Sequence, residues 1–167
     1  MAVKLLLYKI DDYLCDESQF HSDVLSTYKL LVLKTKMLGL HKMGHGFVVN
    51  LFWYIITFGK FEILQLTDSE NIVHYSYITP KVYRFPFMKT GDIQIGPCLT
   101  FEKYQKRGIY SAVLQYLISE YCKQNRTLWI YCNENNEASR KTIEKVGFKY
   151  FGNASINKLT KVIKIHL

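Results

Sequence analysis

Val3 to Ile10 is a compact apolar run closed by Asp11 and Asp12, the pattern of a first strand. From there Val24, Leu25, Tyr28, Leu31, Val32, Thr35 and Leu38 recur at three- and four-residue steps. That period predicts an amphipathic helix, capped by Asp16 or Ser18 and ended at Gly39. Phe47 to Phe58 is apolar nearly throughout and bounded by Gly44, Gly46 and Gly59. Periodicity does not choose between helix and strand in this run; a buried core element is favoured over an acceptor-site or membrane-surface element. Phe61 to Leu66 and Asn71 to Thr79 are β-like runs separated by Thr-Asp-Ser-Glu, which predicts a hairpin. The stretch after it, with Pro80 and Pro86, reads as a loop. Asp92 to Thr100 is a further strand, interrupted at Gly96-Pro97. Proline has no N–H for the ladder, so a bulge or splay is expected there.

The clearest helix follows. Ile109, Ala112, Val113, Tyr116, Leu117 and Tyr121 line one face at helical spacing, while Gln115, Glu120 and Lys123 face away. Thr127 to Cys132 reads as a short buried strand and Asn136 to Val146 as a second helix stopped by Gly147. Phe148 to Phe151 and Leu159 to Ile165 supply the last strands. These elements predict one mixed α/β domain over residues 1–167, with no internal repeat and no linker.

Composition adds bounds. Hydrophobic residues make up 49% and charged residues 22%, which excludes a disordered tail or a fibrous repeat. No stretch approaches the ~20 apolar residues of a membrane span, and the N-terminal run lacks a cleavage site, so no signal peptide is expected. Cys15, Cys98, Cys122 and Cys132 form no CxxC pair and no zinc-binding spacing. Free thiols in a reducing, cytoplasmic compartment and no metal are therefore expected. The net charge of +8 raises the local concentration of anions: nucleic acid, anionic lipid or a phosphorylated cofactor. With only Arg84, Arg107, Arg126 and Arg140 available as groove readers, specific nucleic-acid recognition is not expected.

The chemistry concentrates in GDIQIGPCLTFEKYQKRGIYSAVLQYL: a strand, a basic turn with Gly108, then a strong helix. A helix starting right after a turn presents unpaired N–H groups and the positive end of its dipole. Such an end binds phosphate, and Lys103, Lys106 and Arg107 add charge beside it. Gly108 lets backbone approach a ligand with no Cβ between. With one glycine, the turn is neither a Walker loop nor a dinucleotide loop.

Gln105-Lys106-Arg107-Gly108-Ile109-Tyr110 resembles the Q/R-x-x-G-x-G/A signature of the GNAT family of N-acetyltransferases. Asn136-Glu137-Ala138-Ser139 followed by Glu144-Lys145-Val146-Gly147-Phe148 is similar to that family's N-x-x-A/S…E-K-x-G-F segment at the same spacing. The resemblance runs from about residue 60 to 152. It implies a mixed, mostly antiparallel sheet with a splay between the fourth and fifth strands and helices on both faces. It also implies an acetyl-CoA site: backbone of Cys98, Leu99 and Thr100 on the pantetheine arm, and amides from Gln105, Lys106, Arg107, Gly108, Ile109, Tyr110 and Ser111 on the pyrophosphate. Asn136 and Ser139 would flank the pantetheine and thiol end. Residues 1–59 would form the acceptor side and 60–167 the cofactor-binding core.

Two departures bear on chemistry. Tyr110 stands where the signature usually has Gly or Ala, so its ring must turn away from the phosphates or pack on the cofactor. Ile143 stands where many members carry a tyrosine that protonates the departing thiolate. Fourth-strand positions that often hold a Glu are Gln94 and Gly96 here. Substitute bases are Asp92, His74 or a water held by backbone groups, although Asp92 equally suits a strand start and His74 a sheet interior. Cys98, with no histidine placed by sequence to activate it, does not suggest an acyl-enzyme. Direct attack by a small-molecule amine is expected. Phe52-Trp53-Tyr54 and the loop after Pro80 suggest a ring-stacking acceptor wall. The stretch from Pro80 to Leu114 is similar to acetyltransferases of surface-polysaccharide synthesis, whose acceptors are amino sugars or nucleotide sugars. A homodimer fits this picture; a non-catalytic acyl-CoA-binding module and a basic nucleic-acid binder are the alternatives.

Overall fold

The computed structural model of the chain describes residues 3–11, 23–34, 46–69, 71–122 and 126–166. In chain order these form β1 (Val3–Asp11), α1 (Asp23–Ser26), β2 (Lys29–Lys34), α2 (Phe47–Thr57), β3 (Glu62–Asp68), β4 (Asn71–Pro80) and β5 (Ile93–Thr100). A single 3-10 turn (Glu102–Tyr104) leads into α3 (Ile109–Tyr121), β6 (Thr127–Asn133), α4 (Glu137–Lys145), β7 (Lys149–Ile156) and β8 (Ile163–His166). The eight strands make one sheet in the order β2-β3-β4-β5-β6-β1-β7-β8, with β5 and β6 parallel and every other pair antiparallel. The mixed α/β class and the predicted β3–β4 hairpin are both observed.

Period-two alternation loads both faces of the sheet. Tyr8, Ile10, Leu64, Leu66, Leu128 and Ile130 join one core with Ile109, Val113 and Leu117 of α3 and Ile143 of α4. Leu5, Leu7, Ile63, Tyr75, Tyr77 and Trp129 join the other, which α2 covers through Trp53 and the loop after β4 through Phe85 and Met88. Helices thus sit on both faces, as the family resemblance implied.

The helix expected from Val24 through Leu38 is corrected. Within the described residues, helix is confined to α1, and Lys29–Lys34 is an edge strand paired to β3 from Lys29↔Thr67 to Lys34↔Glu62. Leu30 packs toward the first core and Leu33 toward the second, so the unbroken run Leu30–Leu33 serves a strand that is apolar on both sides. The expected caps Asp16 and Ser18, and Thr35, Leu38 and Gly39, lie outside the described residues, as do Gly44 and Lys123. Phe47–Thr57, undecided by periodicity, is helical.

The expectation of free thiols is corrected at one site. Cys122, which ends α3, is disulfide-bonded, whereas Cys98 and Cys132 are free. Cys15 lies outside the described residues.

Candidate acetyl-CoA site

β5 and β6 separate midway. They pair only from Ile93↔Leu128 to Ile95↔Ile130. Gly96 then takes a φ of +114°, Pro97 has no N–H to offer, and the β4–β5 register shifts between Ser76 and Ile78. From Cys98 to Thr100, β5 stays paired to β4 on one edge while its other edge faces the gap. The splay expected at this strand pair is present; it lies between β5 and β6 because β2 adds a strand to the count.

A cavity of about 470 Å3 fills the gap. Cys98, Leu99 and Thr100 form its strand wall, the turn Gln105–Ser111 its end, and Asn136 and Ser139 of α4 the opposite side. Of the twelve residues expected to bind cofactor, only Arg107 is off the wall. Its guanidinium lies 5.5 Å from the centre of the Tyr104 ring, and the Lys103 ammonium lies 5.4 Å from the same ring, so both cations are exposed near the rim. Tyr104, Ala138 and Thr142 also line the cavity. Ala138 and Thr142 carry a readable signal, since with Ser139 they share one face of a helix at three- and four-residue spacing. Tyr104 carries none until the 3-10 turn is known.

The turn is shaped to hold an anion. Gly108, the N-cap of α3, has φ +75° and supplies no side chain to the first-turn amides. Those amides have no partners within the helix. A Cβ built at Gly108 would meet only Val24 Cγ2, at 3.9 Å, so the space beside it is open. Lys106 also has a positive φ, of 61°. Alternating backbone of this kind turns consecutive N–H groups into one concavity. Gln105 ties the turn to the strand by donating from Nε2 to the Thr100 carbonyl at 3.1 Å. Open amides, a missing Cβ and nearby cations fit a diphosphate, and the strand gap fits a narrow amide-bearing arm.

Tyr110 turns its ring inward. The phenol meets Ser139 Oγ at 3.3 Å, and the ring lies 6.1 Å from that of His74. Burial raises its pKa, with Cys98 the next contributor. The amides of the turn therefore stay clear, and Tyr110 bridges α3 and α4 at the cavity. Asn136 accepts from Ser139 N at 3.0 Å, so its Oδ1 caps α4. The Glu144 carboxylate accepts from Tyr8 Oη at 3.1 Å, which fastens the end of α4 to β1.

Neither residue expected as a proton acceptor opens on the cavity. Asp92 is buried, and its carboxylate accepts from Lys89 N, Thr127 N and Trp129 Nε1 at 2.8, 3.2 and 2.9 Å. The contacts from Thr127 and Trp129 hold the start of β5 against β6, and that from Lys89 closes the turn leading into β5. His74 has no exposed surface; its Nδ1 lies 2.7 Å from Thr100 Oγ1 and its Nε2 2.8 Å from Ser76 Oγ. Burial lowers its pKa to about 3, so the ring is neutral at physiological pH. Burial pushes the Cys98 thiol up to about 12, which leaves it a poor nucleophile.

His74 has a measurable consequence. Unfolded, it takes a proton near pH 6.5; folded, it resists until about 3. The unfolded state thus binds more protons between these values, and stability falls as pH drops through that window. Urea unfolding should show a loss on the order of 1 kcal/mol per pH unit between pH 6 and 4 beyond that of His74→Gln. Equal slopes in the two proteins would contradict the neutral, buried assignment.

Residues 72–148 match the profile of the acetyltransferase (GNAT) family. No curated protein sequence matches the chain. Solved structures do. The chain is similar to an acetyltransferase of the GNAT family from Colwellia psychrerythraea (16% identity, TM-score 0.60, covering 89% of this chain and 53% of that one). It is also similar to a GCN5-related N-acetyltransferase from Sphaerobacter thermophilus (13% identity, TM-score 0.54, 92% and 50%). A tandem GNAT protein of the clavulanic acid biosynthesis pathway gives 10% identity and TM-score 0.64, with 90% and 51% covered. The chain therefore spans about half the length of these three. At such identities the likeness carries the fold, while the profile match falls on the signature turn, the splayed strand and the Asn136–Phe148 segment. On these grounds residues 72–148 are similar to the acetyltransferase (GNAT) family, and the chain shares the fold of these structures.

Proposed function

We propose that this chain is an acetyl-CoA-dependent N-acetyltransferase in which a small-molecule amine attacks the thioester directly. The observation that carries the reading is the cavity itself, in which open helix amides at Gly108 and an unpaired strand edge at Cys98–Thr100 meet in one space. Bound there, acetyl-CoA would supply an activated acetyl group. The turn would hold its diphosphate and β5 its pantetheine arm. The attacking amine must be neutral; its nitrogen would bond to the acetyl carbon, the carbon–sulfur bond would break with its electron pair leaving on the coenzyme A sulfur, and the amine's surplus proton would pass to water, which can return it to that thiolate. Water is favoured over Asp92 or His74 as acceptor because both side chains are engaged below the surface. In this reading those two residues position strands.

An amino sugar or nucleotide sugar is the favoured acceptor, with the acceptor side built from the N-terminal part of the chain, β1 excepted because it lies inside the sheet. A cytoplasmic site of action belongs to the same reading. The Cys122 disulfide does not enter it, since a helix of 13 residues, ~20 Å long, separates it from the cavity.

A second reading, a binding module without turnover, is favoured by one observation: Ile143 is wholly buried and places no hydroxyl at the cavity. A thiol-release assay with acetyl-CoA against amino sugars, polyamines and peptide amines separates the two. The enzyme reading expects release with at least one amine at a rate of ~1 s−1 or more. Binding of acetyl-CoA with no release from any of them supports the module.

A further inference from the structure

Helix α2 is apolar on every side and carries no charged residue. Its inner side is accounted for, since Trp53 is buried 6.1 Å from the Tyr77 ring, with Asn50 and Thr57 buried beside it. Its outer side is not: Val48 is 78% exposed, Ile55 62% and Phe58 88%. A helix apolar all round calls for a cover on both sides.

Two neighbouring segments extend this surface. The Arg84 guanidinium lies 5.2 Å over the Trp53 ring, and its Nε donates to the Lys161 carbonyl at 3.1 Å. The loop after β4 and the turn before β8 therefore border α2, adding the exposed side chains Tyr83 and Leu159, the latter 92% exposed. The charge of the three segments is one-sided. Residues 46–61, 81–91 and 157–162 contain no Asp or Glu and six cations: Lys60, Lys81, Arg84, Lys89, Lys158 and Lys161.

We infer that this face docks on an anionic lipid surface, its apolar tips in the headgroup–acyl boundary and its lysines on lipid phosphates. Charge complementarity selects the occupant. A second copy of the chain, paired through the same patch, would set one set of six cations against another; an anionic bilayer answers them. No helix among the described residues is long and apolar enough to cross a membrane, which makes this a contact on the surface. The cavity lies with α3 and α4 on the opposite side of the sheet, so docking leaves it open. The inference does not depend on acyl transfer.

Co-sedimentation of the full chain with phosphatidylglycerol–phosphatidylcholine vesicles tests it, with pure phosphatidylcholine as the neutral arm. The expected result is about tenfold stronger partition into the anionic vesicles, weakened by salt. Ile55→Asp combined with Phe58→Asn, which removes apolar tips, should reduce partition about tenfold or more. Lys81→Glu with Lys158→Glu, on exposed side chains, should do the same through charge, at roughly fivefold or more per lysine. Both pairs should leave coenzyme A binding and the melting temperature unchanged. No pelleting, equal pelleting on neutral vesicles, or concentration-dependent self-association abolished by Ile55→Asp would each overturn the assignment, the last in favour of a second copy.

Discussion

Gly108→Val is expected to weaken acetyl-CoA binding roughly a hundredfold or more in calorimetry, the energy of two lost charge-assisted amide contacts. Gly108 holds φ +75° at the N-cap of α3. A β-branched residue resists that backbone region, at a cost of about 1–2 kcal/mol, and adds methyl groups where the diphosphate would come closest to the amides. The protein interior does not object, because the nearest atom to a built Cβ is 3.9 Å away. The effect should therefore appear mainly in binding, with a smaller fall in melting temperature. Unaltered affinity would remove the amide turn from the site, and the proposed function with it. The vesicle measurement would be unaffected, so the two ideas fail separately.

The second large effect concerns stability. Asp92→Ala would leave three donors without their acceptor: Trp129 Nε1 in a buried place, and Lys89 N and Thr127 N half-buried. At about 1–3 kcal/mol for each orphaned donor, with the two half-buried ones near the low end because water reaches them, the loss should reach roughly 3–5 kcal/mol. In a domain of this size each kcal/mol lowers the midpoint by about 2–4 °C. Asp92→Asn, which keeps an accepting oxygen, should lose less. Once rates are corrected for the folded fraction, Asp92→Asn should retain its acetylation rate within about threefold, where loss of a general base costs about 100-fold or more. A folded Asp92→Asn protein with that larger loss would return the carboxylate to catalysis.

Local chemistry made the turn and strand gap around the cavity readable. A turn that must free its amides needs glycine, and a helix that must end needs another, so Gly108 and Gly147 stand out in a linear chain. The α3 face repeats at helical period because one side meets a sheet, and Pro97 announces the strand gap because it cannot donate. What the local pattern did not show were contacts that depend on distant neighbours. Asp92 reads in the sequence as a candidate base or a strand start, and the donors that hold its carboxylate, Trp129 and Thr127, lie far along the chain. His74 looks titratable until Thr100, Ser76 and the Tyr110 ring close over it.

The same division holds for the fold. The sequence alone determined the β3–β4 hairpin, α3, α4 and the amide-rich turn between β5 and α3, since each depends on spacings within a few residues. Tertiary structure decided the rest. It drew Lys29–Lys34 into an edge strand, because six pairings to β3 and partial cover on both faces outweigh a local helical period. It made α2 a helix, and it inserted β1 between β6 and β7, two strands that begin more than a hundred residues later. Pairing partners at such separations leave no periodic trace in the chain; they are selected only when the whole sheet buries its two faces at once.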